Sequence, residues 1–244
     1  MTIETGDFIR INYTGRLDDG TIFDTTYEDV AKENEMYDEN TRYGSYVVIV
    51  GSGHVVSGMD EDFVGKEAGY NGIVEVPPEK GYGKHKTELV KTFPLSRFNE
   101  KPVKGMQVII EGQPGVVTMT VGRRVRVDFN SQMAGKSLVY DYAIEELIDD
   151  DTEKVKSLLN SYFRRDFDVM IVDDGVLIGP PSDLWLNEQW LISKRRIAYE
   201  LLHAMELDSV KFVEAYTKES NETEEAEKTT EIDISDETKE DEEL

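Results

Sequence analysis

Cysteine is absent from the 244 residues, which excludes a disulfide framework, thiolate metal ligation and a thiol nucleophile. Histidine is scarce. His54, His85 and His203 stand far apart, so no metal-ligand spacing is available and no cofactor is expected. No apolar run approaches the roughly 18 residues of a membrane span. Met1 to Asp7 offers neither a basic nor an apolar region, so no secretory leader is expected. Basic residues are outnumbered, 27 Lys+Arg against 51 Asp+Glu, for a net charge of −24. A nucleic-acid partner would be repelled by that field, and a cytoplasmic protein is the expectation. No G-x-S-x-G elbow occurs, and Gly51-Ser52-Gly53 is too short for a phosphate loop and lacks its lysine.

The acidity is uneven. Residues 219–244 hold 13 acids, two lysines and no aromatic. That composition predicts a disordered acidic tail, because too little apolar surface is present to offset the entropy of ordering it. Upstream, residues 7–14 alternate as a strand, Asp19-Gly20 marks a hairpin turn, and Ile22-Phe23 begins the return. Residues 28–44 are polar and read as a surface insertion. Tyr46–Val50 and Asn71–Pro77 read as strands, with a short helix between Gly58 and Gly69. Residues 106–129 contain three β runs joined by Gly112-Gln113-Pro114-Gly115 and by Gly122, a meander, and Leu138–Leu147 is a long strand. Beyond Asp149 the period turns helical. A helix capped by Asp151 or Thr152, a hairpin over Asp173-Asp174-Gly175, a helix over 184–205 and a last strand at 210–216 form a small α+β domain.

Four stretches in order resemble the FKBP-type peptidyl-prolyl cis-trans isomerases. They are Tyr13-Thr14-Gly15 with Asp18 to Thr25, Val50 to Asp60, Pro77 to Gly83, and Ala134 to Tyr140. The resemblance covers residues 1–85 and 132–150. Residues 86–131 lie where SlyD-like and archaeal members carry a chaperone domain inserted in the flap, and the region after 150 is similar to the long archaeal subtype. The fold class implied is α+β: an antiparallel half-barrel sheet wrapped on a short helix, a β-rich insert, and a C-terminal α+β domain over 151–218.

That resemblance implies a chemistry without nucleophile, acid, base or metal. Rotation about X-Pro loses amide resonance against a barrier of roughly 18–20 kcal/mol. An apolar, water-poor pocket favours the less polar twisted state. By position in the family, Phe23, Tyr46, Met59 and Tyr140 cradle the proline ring, with Val55 and Tyr13 completing the lining. The Val56 N–H and the Tyr82 hydroxyl donate to substrate carbonyls, and Asp24 polarises the site beside Tyr13. Well-known members have Trp at the floor and Phe on the wall, where this sequence has Met59, Tyr46 and Tyr140. Weaker macrolide binding is therefore expected, and a holdase with a vestigial isomerase pocket stands as the alternative. The partners implied are unfolded, proline-containing polypeptides, held by an apolar, Met-bearing face of the insert. Trp185, Trp190 and Tyr199 on the last long helix suggest a homodimer through the C-terminal domain.

Overall fold

The computed structural model describes residues 1–216; the acidic segment 219–244 lies outside them. In chain order the strands and helices are β1 (Phe8–Leu17), β2 (Ile22–Thr25), α1 (Glu28–Glu33), β3 (Tyr46–Ile49), α2 (Ser57–Phe63), β4 (Asn71–Val76), β5 (Val90–Pro94), β6 (Gln107–Ile110), β7 (Gln113–Val121), β8 (Arg124–Asp128), β9 (Leu138–Ile148), α3 (Asp151–Phe163), β10 (Asp168–Val172), β11 (Gly175–Gly179), α4 (Glu188–Ala204) and β12 (Ser209–Phe212). They make three sheets, and the α+β class holds.

The first sheet runs β2-β1-β9-β4, with β3 sharing the free edge of β1 beyond β2. All of its pairings are antiparallel. Around β3 it is buried on both faces, whereas the back of β4 is open, with Ile73 exposed. Ile9, Ile11, Val48, Val76 and Ile144 pack on Met59 and Phe63 of α2. Phe8, Val47, Ile49 and Ile148 point the other way, into a core shared with Val155, Leu158 and Leu159 of α3 and Trp190, Ile197 and Leu201 of α4. The uninterrupted apolar run Val47-Val48-Ile49-Val50 is the signature of such two-sided burial. The C-terminal region is thus an α+β unit whose core is continuous with the back of the first sheet.

Several expectations need correcting. Residues 28–44 are more than a polar loop: they open with α1, which buries Ala31, and they tie to α3 where Arg42 Nη1 donates to the Asn160 carbonyl at 2.7 Å. The insert has four strands in the order β5-β8-β7-β6. The fourth, β5, carries little signal in the sequence because Lys91 and Pro94 break its alternation. The β6–β7 turn is Glu111-Gly112, both with positive φ, so Pro114 and Gly115 belong to β7. Pro114 is tolerated there because β8 pairs only from Val116 onward. Asp150, one residue earlier than expected, caps α3 by accepting from Glu153 N–H at 2.8 Å. On α4 the inward face is Trp190, Ile197 and Leu201, while Leu191 and Ile192 are exposed. Trp190 is fully buried among Phe163, Phe167 and Phe212 and offers no surface to a second copy. β12 lies parallel to β11, and α4 supplies the crossover that a parallel pair requires.

The two chain crossings between the first sheet and the insert are braced to each other. Gly135 N–H donates to the Gly83 carbonyl at 2.8 Å. His85 Nε2 pairs with Asp128 at 2.7 Å, and Asn130 bridges Asp128 and Lys86.

Candidate active site

The candidate residues come from four segments that the first sheet and α2 bring together. Met59 and Tyr140 lie at the bottom of one cluster, and Tyr13, Phe23, Tyr46, Val55 and Val56 pack against it with part of their surface open. The Tyr13 and Phe23 rings each meet Tyr140 edge-on, at 5.8 and 5.7 Å between centroids. The Tyr13 hydroxyl donates to Asp24 Oδ2 at 2.9 Å.

Two features of β1 and β2 make this convergence possible. Consecutive strand residues normally face opposite ways. The register slips between Gly15 and Arg16, however, leaving Phe23 without a partner between Asp24 and Ile22. A bulge of this kind re-aims a side chain, and here it lets both Phe23 and Asp24 approach the Tyr13–Tyr140 pair. Gly15 leaves the room: a Cβ there would stand 2.7 Å from Phe23 Cζ and 2.9 Å from Tyr140 Cε1. The bulge carries no obvious signal in the sequence, because Asp19-Gly20 accounts for the turn without it.

Burial, reinforced by the Asp24 charge, pushes the Tyr13 hydroxyl far above its ordinary range. Burial also pushes Tyr140 up, helped by Tyr82 and Asp24. Burial raises Tyr46 as well; Arg196 opposes and Glu200 adds to the shift. The three phenols are therefore neutral hydrogen-bonding groups in an aromatic hollow, with Asp24 at its rim. Tyr82 lies at the lip, 45% exposed, with its side chain close enough to the Tyr140 hydroxyl to help raise it.

Val56 sits just ahead of α2, where its carbonyl accepts from the N–H groups of Met59 and Asp60. Its own N–H donates to no group among the described residues. The approach to it is fixed at two points that the sequence did not reveal. The buried Asp60 accepts from Gly51 N–H at 2.8 Å and Gly53 N–H at 3.3 Å. His54 accepts from Ile49 N–H through Nδ1 at 3.2 Å. Its Nε2 lies 3.3 Å from Glu200. His54 and Glu200 are 2% and 6% exposed. Glu200 also accepts from Arg196 at 2.7 Å and from the Tyr162 hydroxyl at 3.2 Å. In the sequence Asp60 is one of three consecutive acids and Glu200 one charge among several near it, so neither stands out. Across the pocket, Ser57 Oγ donates to the Lys80 carbonyl at 3.0 Å, and Lys80 pairs with Glu61, tying α2 to the loop that carries Tyr82.

A family model described as FKBP-type peptidyl-prolyl cis-trans isomerase matches residues 1–94. A short-type peptidyl-prolyl cis-trans isomerase of Methanocaldococcus jannaschii is 33% identical over 148 residues, 59% of this chain and 94% of that protein. The chain belongs to the FKBP-type peptidyl-prolyl cis-trans isomerase family. Two further models, described as FKBP26, IF domain and as FKBP26_C-terminal, match residues 90–133 and 151–217 of this FKBP. The FKBP-type isomerase SlyD of Vibrio cholerae is 24% identical over 131 residues, 51% of the chain and 65% of the relative. Human FKBP9 is 38% identical over 80 residues, a third of this chain but only 12% of that longer protein. This FKBP is thus an isomerase with an inserted chaperone domain, of the long subtype.

Proposed function

We propose that the hollow walled by Tyr13, Phe23, Tyr46, Val55, Met59 and Tyr140 seats the proline ring of an unfolded chain and speeds X-Pro rotation by removing water from it. The planar imide is the more polar state, because resonance places negative charge on oxygen and positive charge on nitrogen. Twisting removes that separation. A neutral aromatic cavity therefore raises the ground state relative to the twisted state. The Val56 N–H and the Tyr82 hydroxyl hold the flanking carbonyls, so that one side of the bond is fixed while the other turns. Asp24, kept in place by Tyr13, faces the turning carbonyl. What supports this reading most is the Val56 N–H, left without a protein partner beside the cluster of rings. No described helix is long and apolar enough to cross a membrane, and the reading includes work on polypeptide clients in an archaeal-type cytoplasm. A homodimer through the C-terminal domain is retained only as a second-order proposal. It leans on the exposed Leu186, Ile192 and Tyr199 now that Trp190 is accounted for within one chain.

A protease-free assay on a proline tetrapeptide, run beside a proline-limited refolding reaction, tests the division of labour. Asp24→Ala and Tyr82→Phe should each slow the tetrapeptide by about tenfold, roughly 1.4 kcal/mol of transition-state binding. Replacing 86–131 by a glycine linker should spare the tetrapeptide and abolish the acceleration of refolding. Unchanged tetrapeptide rates in both point variants would favour the holdase with a vestigial pocket.

A further inference from the structure

One part of this acidic chain carries the opposite charge. Residues 86–131 contain eight Lys and Arg against four Asp and Glu. Two of those acids are engaged, Glu111 by Arg97 at 2.6 Å and Asp128 by His85 at 2.7 Å. The four-stranded sheet of the insert buries Val117, Val125 and Val127 on one face. Alternation turns the other face to solvent. There the register sets Met119 beside Arg126 and Val121 beside Arg124, with Thr92 and Pro94 on the far side of the two arginines. Ile109 and Pro114 extend the same face on β6 and β7. Ile109, Met119 and Val121 are 77%, 46% and 63% exposed. Among the described residues, no carboxylate lies within ion-pair distance of Arg124 or Arg126, nor of the exposed Arg123, Lys101 and Lys104 nearby. Cations that merely kept an apolar sheet soluble would be an odd choice here, because the rest of the chain relies on Asp and Glu for that.

We propose that this face selects unfolded segments whose apolar side chains are flanked by Asp or Glu. Ile109, Met119 and Val121 take the apolar groups, and Arg124 and Arg126 pair the acids. The inference rests on the client-holding reading above and adds a charge preference to it. An acidic segment is repelled by most of the molecule and attracted at one face, which steers encounter toward the insert. A nucleic acid carries the same sign, but the aromatic rings of the insert, Phe93, Phe98 and Phe129, lie in or against its core and leave no stacking platform on the outer face.

The test uses the full chain and three unfolded, dye-labelled 20-residue peptides of identical apolar content, flanked by Asp/Glu, by Ser/Gln or by Lys/Arg. Binding is read by anisotropy at low and high KCl. The acidic peptide should bind about tenfold or more tighter than the basic one, with the gap closing at high salt as exposed charges are screened. The double variant Arg124→Glu/Arg126→Glu should reverse the order while tetrapeptide isomerisation stays intact. Should that variant fold poorly, the salt dependence of the unmodified protein decides alone. Equal binding of all three peptides would overturn the selectivity and leave client holding standing. Binding of none would overturn the holding reading as well. An unstructured oligothymidine that matched the acidic peptide would replace client selection with general polyanion affinity.

Discussion

Glu200 is a buried carboxylate on which a neutral-pH contribution to stability depends. Burial alone would raise its pKa, but hydrogen bonds from His54 and Arg196 outweigh that and hold it below the ordinary glutamate range. A group whose folded pKa is depressed contributes stability above its unfolded value, near 4.3, and loses the contribution as pH falls through the folded value. Glu200→Gln should therefore cost about 1–3 kcal/mol at pH 7, measured by denaturant unfolding, and the difference from the parent should shrink below about pH 4. A gap that widened on acidification would contradict the assignment. Nothing about Glu200 stands out in the sequence. A lone acid on a helix is a solvated charge until a partner from elsewhere is known, and His54 is 146 positions away. That Tyr13, Phe23, Met59 and Tyr140 come together was legible for another reason: each sits in one of four recognisable stretches, whereas Tyr46 lies outside them.

At the scale of single elements, α2 is short, yet it fixes the turn that leads to Val56 at one end of the hollow. Its Met59 and Phe63 bury against the sheet, and its Asp60 holds the turn before Val56 by two backbone N–H groups. Asp60→Ala leaves those two donors without their acceptor. The expected outcome is a fall in tetrapeptide kcat/KM of about tenfold, carried mainly by KM, because the loop that aims Val56 N–H is loosened while the rings stay in place. Steady-state kinetics over a range of peptide concentration would check this, and a pure kcat effect would argue against a binding role for that loop. Strands were legible where alternation was clean, as in β8. The β5 strand is hidden where a lysine and a proline interrupt the alternation, and in the β1–β2 hairpin the return strand is legible but the bulge that resets its register is not. The inward face of α4 was misjudged for a related reason. The apolar residues of α4 spread well beyond the buried stripe, to Leu191, Ile192 and Tyr199, so the 3.6-residue period alone does not say which part is covered.

In the whole molecule, the FKBP sheet and the C-terminal region share one core, so neither is expected to melt without the other. Ending the chain at residue 150 would uncover Phe8, Val47, Ile49 and Ile148 together. Such a truncation should bind a hydrophobic dye and lose its cooperative thermal transition, whereas the complete chain should unfold this core in one step by calorimetry. A truncated form as stable as the parent would show the shared core to be dispensable. Separate domains were the natural reading of the sequence, because a change of period marks a boundary between elements but not the apolar face that crosses it. The braces between the two crossings into the insert have a consequence of their own. With Gly83 fastened to Gly135, and His85 and Lys86 to the far crossing, the two crossings are one doubled stalk, and not two independent threads. A doubled stalk has a shorter reach than two free strands, so a client segment held by the insert would offer the pocket a narrower range of its neighbouring prolines.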